Sequence, residues 1–188
     1  MIADLPPGLI LILGALGIPF LGPRLRPYFM LALPVLALVQ LLMLPSGLSA
    51  QVEMFGHTLV FLRVDSLAFV FGLIFLIAAT LNVIYGWHDP DPVQQVSSLV
   101  YAGAATAAVF AGDLISLFIF WELAAISSVF LIWVSRTERA YRAGMRYLVI
   151  QIGSGVILLA GIILHYQATG SITFDNLGLV SFPTALIF

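Results

Sequence analysis

The stretch Leu114–Val134, which reads LISLFIFWELAAISSVFLIWV, is an unbroken apolar run that contains one carboxylate. At about 1.5 Å of rise per residue, a helix of this length crosses a bilayer. Glu122 is the ninth residue of the run and therefore lies about 12 Å from one end. An ionised carboxylate at that depth costs at least about 2.5–3.5 kcal/mol, so we expect a partner, a hydrated cavity or a proton beside it. We interpret Glu122 as a mark of a proton or ion path.

The composition places this run in a membrane protein. Of the 188 residues, 62% are hydrophobic and 9% are charged, whereas about 25% of the residues of a soluble domain are charged. The chain has no Cys and no Lys, and its seven cationic residues are all Arg. The net charge of −2 gives no indication of a nucleic-acid partner. With no Cys motif, paired His or Gly-rich nucleotide loop, we predict no metal site and no cofactor.

The hydropathy pattern predicts an all-α polytopic membrane protein with about six transmembrane helices. They are expected at 7–23, 28–45, 65–87, 94–111, 114–134 and 144–166, and a seventh apolar stretch begins near 177. No internal repeat divides the chain, so residues 1–188 are interpreted as a single transmembrane domain.

Two further patterns concern the hairpin and the packing. Residues 45–63 show partial alternation around a glycine, which predicts a short external hairpin or a segment that lies on the surface. Helices four and six contain many small residues, among them Gly103, Gly153 and Gly155. Small faces let helix backbones approach closely, so we expect a packed bundle.

The arginines predict the orientation of the chain. Arg24 and Arg26 lie between helices one and two, and a second group lies between helices five and six or in the first turn of helix six. That second group consists of Arg136, Arg139, Arg142 and Arg146. Both loops are on one side by parity, so the positive-inside rule makes them cytoplasmic and places the N-terminus outside. Arg139 and Arg142 are interpreted as topology determinants.

Three motifs carry a resemblance to a known family. Asp113–Leu123, DLISLFIFWEL, resembles a motif of the antiporter-like subunits of respiratory complex I, membrane-bound hydrogenases and Mrp-type multisubunit Na⁺/H⁺ antiporters. Arg63–Phe69 resembles the start of that family's third helix, and Arg139–Leu148 resembles the start of its sixth. The resemblance covers about residues 60–166 and implies the N-terminal part of such a subunit. It also implies an integral membrane location, which we expect to be a bacterial inner membrane.

The resemblance implies a role for Glu122. In that family the matching glutamate is paired with a lysine on the seventh helix, and the pair gates proton transfer. Because this chain has no Lys, we expect another chain to supply helix seven and its lysine. The resemblance implies about fourteen helices, whereas these 188 residues predict six and the start of a seventh. Three explanations for this difference remain open: a naturally split subunit, a truncated or partly represented subunit, and a degenerate relative that does not conduct. Glu122 argues against degeneracy, because a purely structural helix would gain stability from an apolar residue there.

Other polar residues have both a functional and a structural interpretation. Asp113, Arg146, Gln151 and Ser154 are candidates for a proton path. The structural alternative for Asp113 is an N-cap of helix five, and for Gln151 and Ser154 it is hydrogen bonding between helices. Asp65 is interpreted as an N-cap of helix three, paired with Arg63.

Together these features predict proton or Na⁺/H⁺ translocation by a subunit of a larger membrane complex. We expect a transporter subunit, or the pumping part of a redox-driven complex, rather than a catalyst by itself. A cation beside Glu122 would favour the charged carboxylate, and its withdrawal would favour protonation, so the residue would act as a proton gate. The main alternative is a non-conducting scaffold that seats neighbouring subunits. A stand-alone channel or carrier is weaker, because six helices with one buried charge offer little for substrate recognition.

Overall fold

The structure, a computed structural model, describes residues 5–54 and 57–173 and is mostly helical. Its helices are α1 (Pro7–Ala15), α2 (Arg26–Met43), α3 (Ser66–Tyr85), α4 (Pro92–Val109), α5 (Leu114–Trp133) and α6 (Glu138–Thr169). A short 3-10 turn, Ile18–Phe20, follows α1. Strands β1 (Ser49–Met54) and β2 (His57–Arg63) pair in an antiparallel hairpin between α2 and α3. The hairpin predicted for this segment is confirmed, and the seventh helix predicted near 177 lies outside the described residues.

Four of the described helices, α2, α3, α5 and α6, are long and apolar enough to cross a membrane. The helix predicted at 7–23 is shorter than expected, because α1 ends at Ala15 and the 3-10 turn that follows contains a proline. The helix α4 has 18 residues, but polar side chains in its first two turns lower its hydropathy. The described residues therefore form six α-helices, while the sequence prediction that all six span the membrane is supported by length and composition for four.

The helix α6 begins six residues before the predicted residue 144. Thr137 caps it, and its Oγ1 accepts a hydrogen bond from Ala140 N at 3.1 Å. Arg142 Nε lies 3.6 Å from Glu138 Oε1, one turn away. Arg142 and Arg146 therefore lie in later turns of a helix, which corrects the predicted position between the helices or in the first turn. The helix extends beyond its apolar part because this polar segment has its own cap and ion pair.

The helix α4 is central to the packing and lies against α1, α3 and α5. Small residues bring α1 and α4 close together. A Cβ added to Gly8 would overlap the carbonyl oxygen of Gly103, and one added to Gly103 would lie 2.7 Å from Gly8 O. The close backbone approach predicted from the small residues of α4 is therefore present. The helix α6 packs mainly on α5, at the edge of the bundle.

The three loops α1–α2, α3–α4 and α5–α6 meet at one end of the bundle, which we call the Arg136 end. Tyr28 and Trp87 form an edge-to-face ring pair there, with centroids 5.3 Å apart. Arg136 Nη2 donates a hydrogen bond to Asp91 Oδ2 at 2.8 Å and joins two of the loops. The β-hairpin, the α4–α5 connection and the end of α6 lie at the opposite end, which we call the hairpin end.

Asp113 holds the hairpin against the start of α5. Its side chain is fully buried. The Oδ2 atom accepts hydrogen bonds from Val60 N and Ser116 Oγ, both at 2.6 Å, and Oδ1 accepts one from Ser116 N at 2.8 Å. Gly112 N also donates to Val60 O at 2.8 Å. One carboxylate therefore caps α5 and satisfies a backbone donor of β2.

We predict that Asp113→Asn lowers the free energy of unfolding by about 1–3 kcal/mol. The amide offers one acceptor oxygen in place of two, so it turns an NH₂ group toward an N–H or O–H donor. Thermal unfolding of the detergent-solubilised chain would measure the loss. The matched control is Asp65→Asn, because Asp65 caps α3 from a more exposed position and Asn is an equally good capping residue. Equal effects of the two substitutions would contradict the special role of Asp113.

Candidate functional site

Glu122 lies in the middle of α5 and points at α6. A Cβ added to Gly155 of α6 would overlap Glu122 Oε1. The carboxylate therefore occupies the space that the missing side chain of Gly155 leaves. Glu122 is half-buried, whereas the preceding residue, Trp121, is 47% exposed on the outer side of α5.

The helix α6 meets α5 along a stripe with a seven-residue repeat. Its members are buried or half-buried and follow alternating steps of four and three residues: Gly144, Leu148, Gln151, Gly155, Leu158, Ile162 and His165. Gln151 lies one turn before Gly155 on this stripe. The flanking residues Ile150 and Val156 are 73% and 61% exposed. The sequence of α6 therefore turns Gly155 and Gln151 toward α5.

The Oε1 atom of Glu122 is buried and has no hydrogen-bond partner among the residues that the structure describes. No Arg or His in that part of the chain forms an ion pair with it either. A buried oxygen without a partner costs about 1–3 kcal/mol, and more when it is charged. A bound proton, a water molecule or a cation from beyond the described residues would satisfy this oxygen.

The α5–α6 interface continues from Glu122 toward the Arg136 end through two further contacts. Ser128 Oγ lies 2.9 Å from Tyr147 OH and is hydrogen-bonded to it across the interface. Trp133 fills the space beside Gly144, because a Cβ added there would overlap its Nε1 atom. Trp133 also stacks on Tyr141, with ring centroids 5.9 Å apart. These aromatic side chains cover the Arg136 end of the interface.

The other candidates for a proton path are not all close to Glu122. Asp113 is nine residues before it in the chain, about 13.5 Å along the axis of α5. Arg146 is exposed and lies about the same distance along α6 from Gly155. Ser154 is exposed beside the stripe, whereas Gln151 lies on it. The structure therefore brings Gln151 to the helix face that Glu122 contacts, and leaves Asp113, Arg146 and Ser154 apart from it.

The remaining predicted residues lie at the two ends of the bundle. Asp65 is the N-cap of α3, where its Oδ1 accepts a hydrogen bond from Ala68 N at 2.7 Å. Its Oδ2 lies 3.8 Å from Arg63 Nε. Arg139 and Arg142 are exposed at the Arg136 end. Within residues 5–54 and 57–173, no group of three or more His, Asp or Glu side chains is arranged to hold a metal ion.

Sequence reasoning misses three features of the site and its surroundings. The sequence marks Gly155 only as one of several small residues of α6, although the repeat that turns it toward α5 is a signal for its place. The Ser128–Tyr147 contact and the Asp91–Arg136 pair join residues far apart in sequence. No local sequence pattern predicts either contact.

Residues 111–187 match the family described as NADH:quinone oxidoreductase/Mrp antiporter, transmembrane. The chain carries a domain of this family. The match begins just before Asp113 and includes Glu122, Gln151 and Gly155, so the candidate site lies within the family domain. With its apolar helices, the chain is an integral membrane protein.

Individual relatives of the chain agree with that match. It is 33% identical over 122 residues to NAD(P)H-quinone oxidoreductase chain 5 of Picosynechococcus sp., covering 61% of this chain and 18% of the relative. It is 30% identical over 125 residues to a Na(+)/H(+) antiporter subunit of Alkalihalophilus pseudofirmus. The match covers 62% of this chain and 15% of the relative. A structure of the Mrp complex from Dietzia sp. has the same fold, with a TM-score of 0.80 at 21% identity, covering 96% of this chain and 22% of that one. The chain thus spans less than a fifth of the length of either curated relative.

Proposed function

We propose that this chain takes part in proton or Na⁺/H⁺ translocation as one part of a larger membrane complex, with Glu122 as its proton gate. The observation that carries the proposal is the buried Oε1 atom of Glu122, which faces Gly155 and has no partner in the described part of the chain. A carboxylate placed in this way can take up and release a proton without breaking an internal hydrogen bond. The names of two relatives, a quinone oxidoreductase chain and a Na⁺/H⁺ antiporter component, favour the same class of function.

Gating by Glu122 requires a cation that the 188 residues do not supply as a lysine. We propose that another polypeptide segment places a Lys, Arg or His beside α5, within about 4–6 Å of the carboxylate or one to two waters away. The half-buried position of Glu122 leaves access for such a group. When the cation is close, the charged carboxylate is stabilised; when it withdraws, the low dielectric favours the protonated form. Alternation between the two forms would move a proton across the middle of the membrane.

The second candidate function is a scaffold that seats neighbouring subunits without conducting ions. The surface of α6 favours this alternative, because only 17% of the residues in its most apolar stretch are buried. Val149, Ile150, Val156 and Ile157 are each at least 60% exposed on that helix. Such a face would pack against lipid or against the helices of a partner chain.

Transport and assembly, measured on the same membranes, distinguish the two functions. Vesicles that carry wild type or Glu122→Gln would be compared for ion uptake driven by a pH gradient, at equal amounts of assembled complex. Loss of transport with intact assembly supports the gate. Transport near the wild-type rate overturns it in favour of the scaffold.

We further propose that the Arg136 end is cytoplasmic and the hairpin end external, as the positions of the arginines predict. Because the native chain has no cysteine, single cysteines at Thr137 and Glu53 can be labelled without background. Both side chains are exposed in the structure, one at each end. We expect an impermeant reagent added to intact cells to label the cysteine at Glu53 and not the one at Thr137. Preferential labelling of the cysteine at Thr137 would contradict the proposed topology.

A further inference from the structure

A cavity of about 800 Å³ opens between α3 and α4, with Leu131 of α5 and Met30 of α2 at its edges. It is separate from Glu122, which does not line it. Along α3 and its C-cap the lining extends from Phe75 to Gly86, and along α4 from Ala105 to Gln94. Each stretch covers about 16 Å of helix axis, which is about half of the 30 Å hydrocarbon core of a bilayer. The cavity therefore spans the depth of one membrane leaflet.

The cavity is apolar toward the middle of the membrane and polar at the Arg136 end. Phe75, Ala79, Ala102 and Ala105 form walls of its deep part. Asn82, His88, Asp89 and Gln95 line the part nearest the Arg136 end. The aromatic pair of Tyr28 and Trp87 lies at the same level, where aromatic side chains mark the membrane interface. This division into a polar end and an apolar body matches a phospholipid better than a soluble metabolite.

Gln95 gives the polar end an unsatisfied acceptor. Its side chain is 6% exposed in the cavity wall. The Nε2 atom donates a hydrogen bond to Asp89 O at 2.6 Å, whereas Oε1 is buried and has no partner among the described residues. The Asp89 carboxylate accepts a hydrogen bond from Asp91 N through Oδ1 at 3.0 Å, and no donor to its Oδ2 is found among the described residues. Gln95 and Asp89 therefore line the same part of the cavity, and the unpartnered amide oxygen of Gln95 is buried in its wall.

The charged side chains of the cavity lining indicate which lipid headgroup the cavity can bind. None of the seven arginines, all of which the structure describes, lines the cavity, and the chain has no Lys. A lipid with a net negative headgroup would bring its charge to Asp89 without a fixed cation to offset it. A primary ammonium group would instead donate hydrogen bonds to Asp89 and Gln95, the acceptors that are present. The Asn82 amide and the Tyr101 hydroxyl, which also line the cavity, offer donors to a phosphate.

We propose that this cavity binds an ethanolamine phospholipid, with the ammonium group at Asp89 and Gln95 and an acyl chain along α3 and α4. The site does not depend on the proposed transport function. It would hold α3 against α4 from one leaflet, where these two helices pack less extensively than α4 packs on α1 or α5. The binding is specific to the headgroup, so it differs from a general preference for lipid.

Lipid retention by the assembled protein tests the site. The protein would be purified in mixed micelles with equal amounts of phosphatidylethanolamine and phosphatidylglycerol, and the co-purifying lipid would be quantified by mass spectrometry. We expect wild type to retain phosphatidylethanolamine about tenfold over phosphatidylglycerol, as one or two charge-assisted hydrogen bonds would give. Asp89→Asn and Gln95→Met should bring the ratio close to one. Glu138→Gln, which removes one exposed carboxylate at the same end but outside the cavity, should leave the ratio unchanged.

A photo-reactive amino acid at Phe75 in otherwise wild-type protein gives a result that does not depend on the folding of the cavity variants. We expect an adduct with the mass of phosphatidylethanolamine. A cross-link to a polypeptide would show that a protein segment fills the cavity and would overturn the proposal. Equal retention of the two lipids by wild type, or an unchanged ratio in Asp89→Asn, would also overturn it.

Discussion

Membranes that carry Glu122→Gln are expected to assemble the complex and to translocate ions about 100-fold more slowly than wild type, the loss typical of removing a positioned acid–base group. Gln keeps the size of the side chain and both hydrogen-bonding positions, but it cannot take up and release a proton. The substitution therefore leaves the packing against Gly155 unchanged and removes only the transferable charge. Glu122→Asp should keep part of the activity, because it retains the carboxylate at a shorter reach.

The rate of proton or Na⁺ uptake by everted vesicles would measure this effect, with the assembled complex quantified on native gels. Glu138→Gln is the matched control, because it makes the same chemical change at an exposed position of α6. We expect it to transport at the wild-type rate. If Glu122→Gln and Glu138→Gln behave alike, Glu122 is a packing residue and the scaffold function takes precedence.

The helices are predictable from the sequence because each long apolar run within residues 5–54 and 57–173 forms a helix. The helix α5 occupies 114–133, one residue short of the predicted 114–134. The beginning of α6 escapes prediction because its first turns are polar, and hydropathy detects only the segment that would lie in lipid. Hydropathy does not predict the early end of α1 either, because the apolar run continues past Ala15, where the α-helix ends.

The site is only half predictable. A carboxylate in an apolar run is unusual enough to identify Glu122 from the sequence alone. The residue that faces it depends on how α5 and α6 pack: the seven-residue repeat of α6 favours Gly155 over Gly153, but it does not show which helix this stripe contacts. Asp113 shows the same limit. Its capping position follows from its place before α5, but its bond to Val60, 53 residues earlier, appears only in the fold.

Gly155→Ala is expected to lower ion translocation about tenfold to 100-fold, because misplacing a reacting group by about 1 Å can cost about 100-fold. The added methyl group would overlap Glu122 Oε1, so either the carboxylate or α6 must move. Helix propensity alone predicts that the same substitution raises the free energy of unfolding, because Ala stabilises a helix interior by about 0.8–1 kcal/mol over Gly. Vesicle transport and thermal unfolding of the same preparations would separate the two effects.

Gly153→Ala provides the matched control two residues away on the same helix. A Cβ at Gly153 would meet no atom within 4 Å, so this variant should gain stability and keep its transport rate. The double variant Glu122→Ala/Gly155→Ala then tests whether Gly155 acts through the carboxylate. With the carboxylate removed, the methyl group at residue 155 has room, and its effect on the unfolding temperature should match that of Gly153→Ala. If Gly155→Ala still lowers the unfolding temperature in the Glu122→Ala background, Gly155 serves the packing of α5 and α6 and does not position the gate.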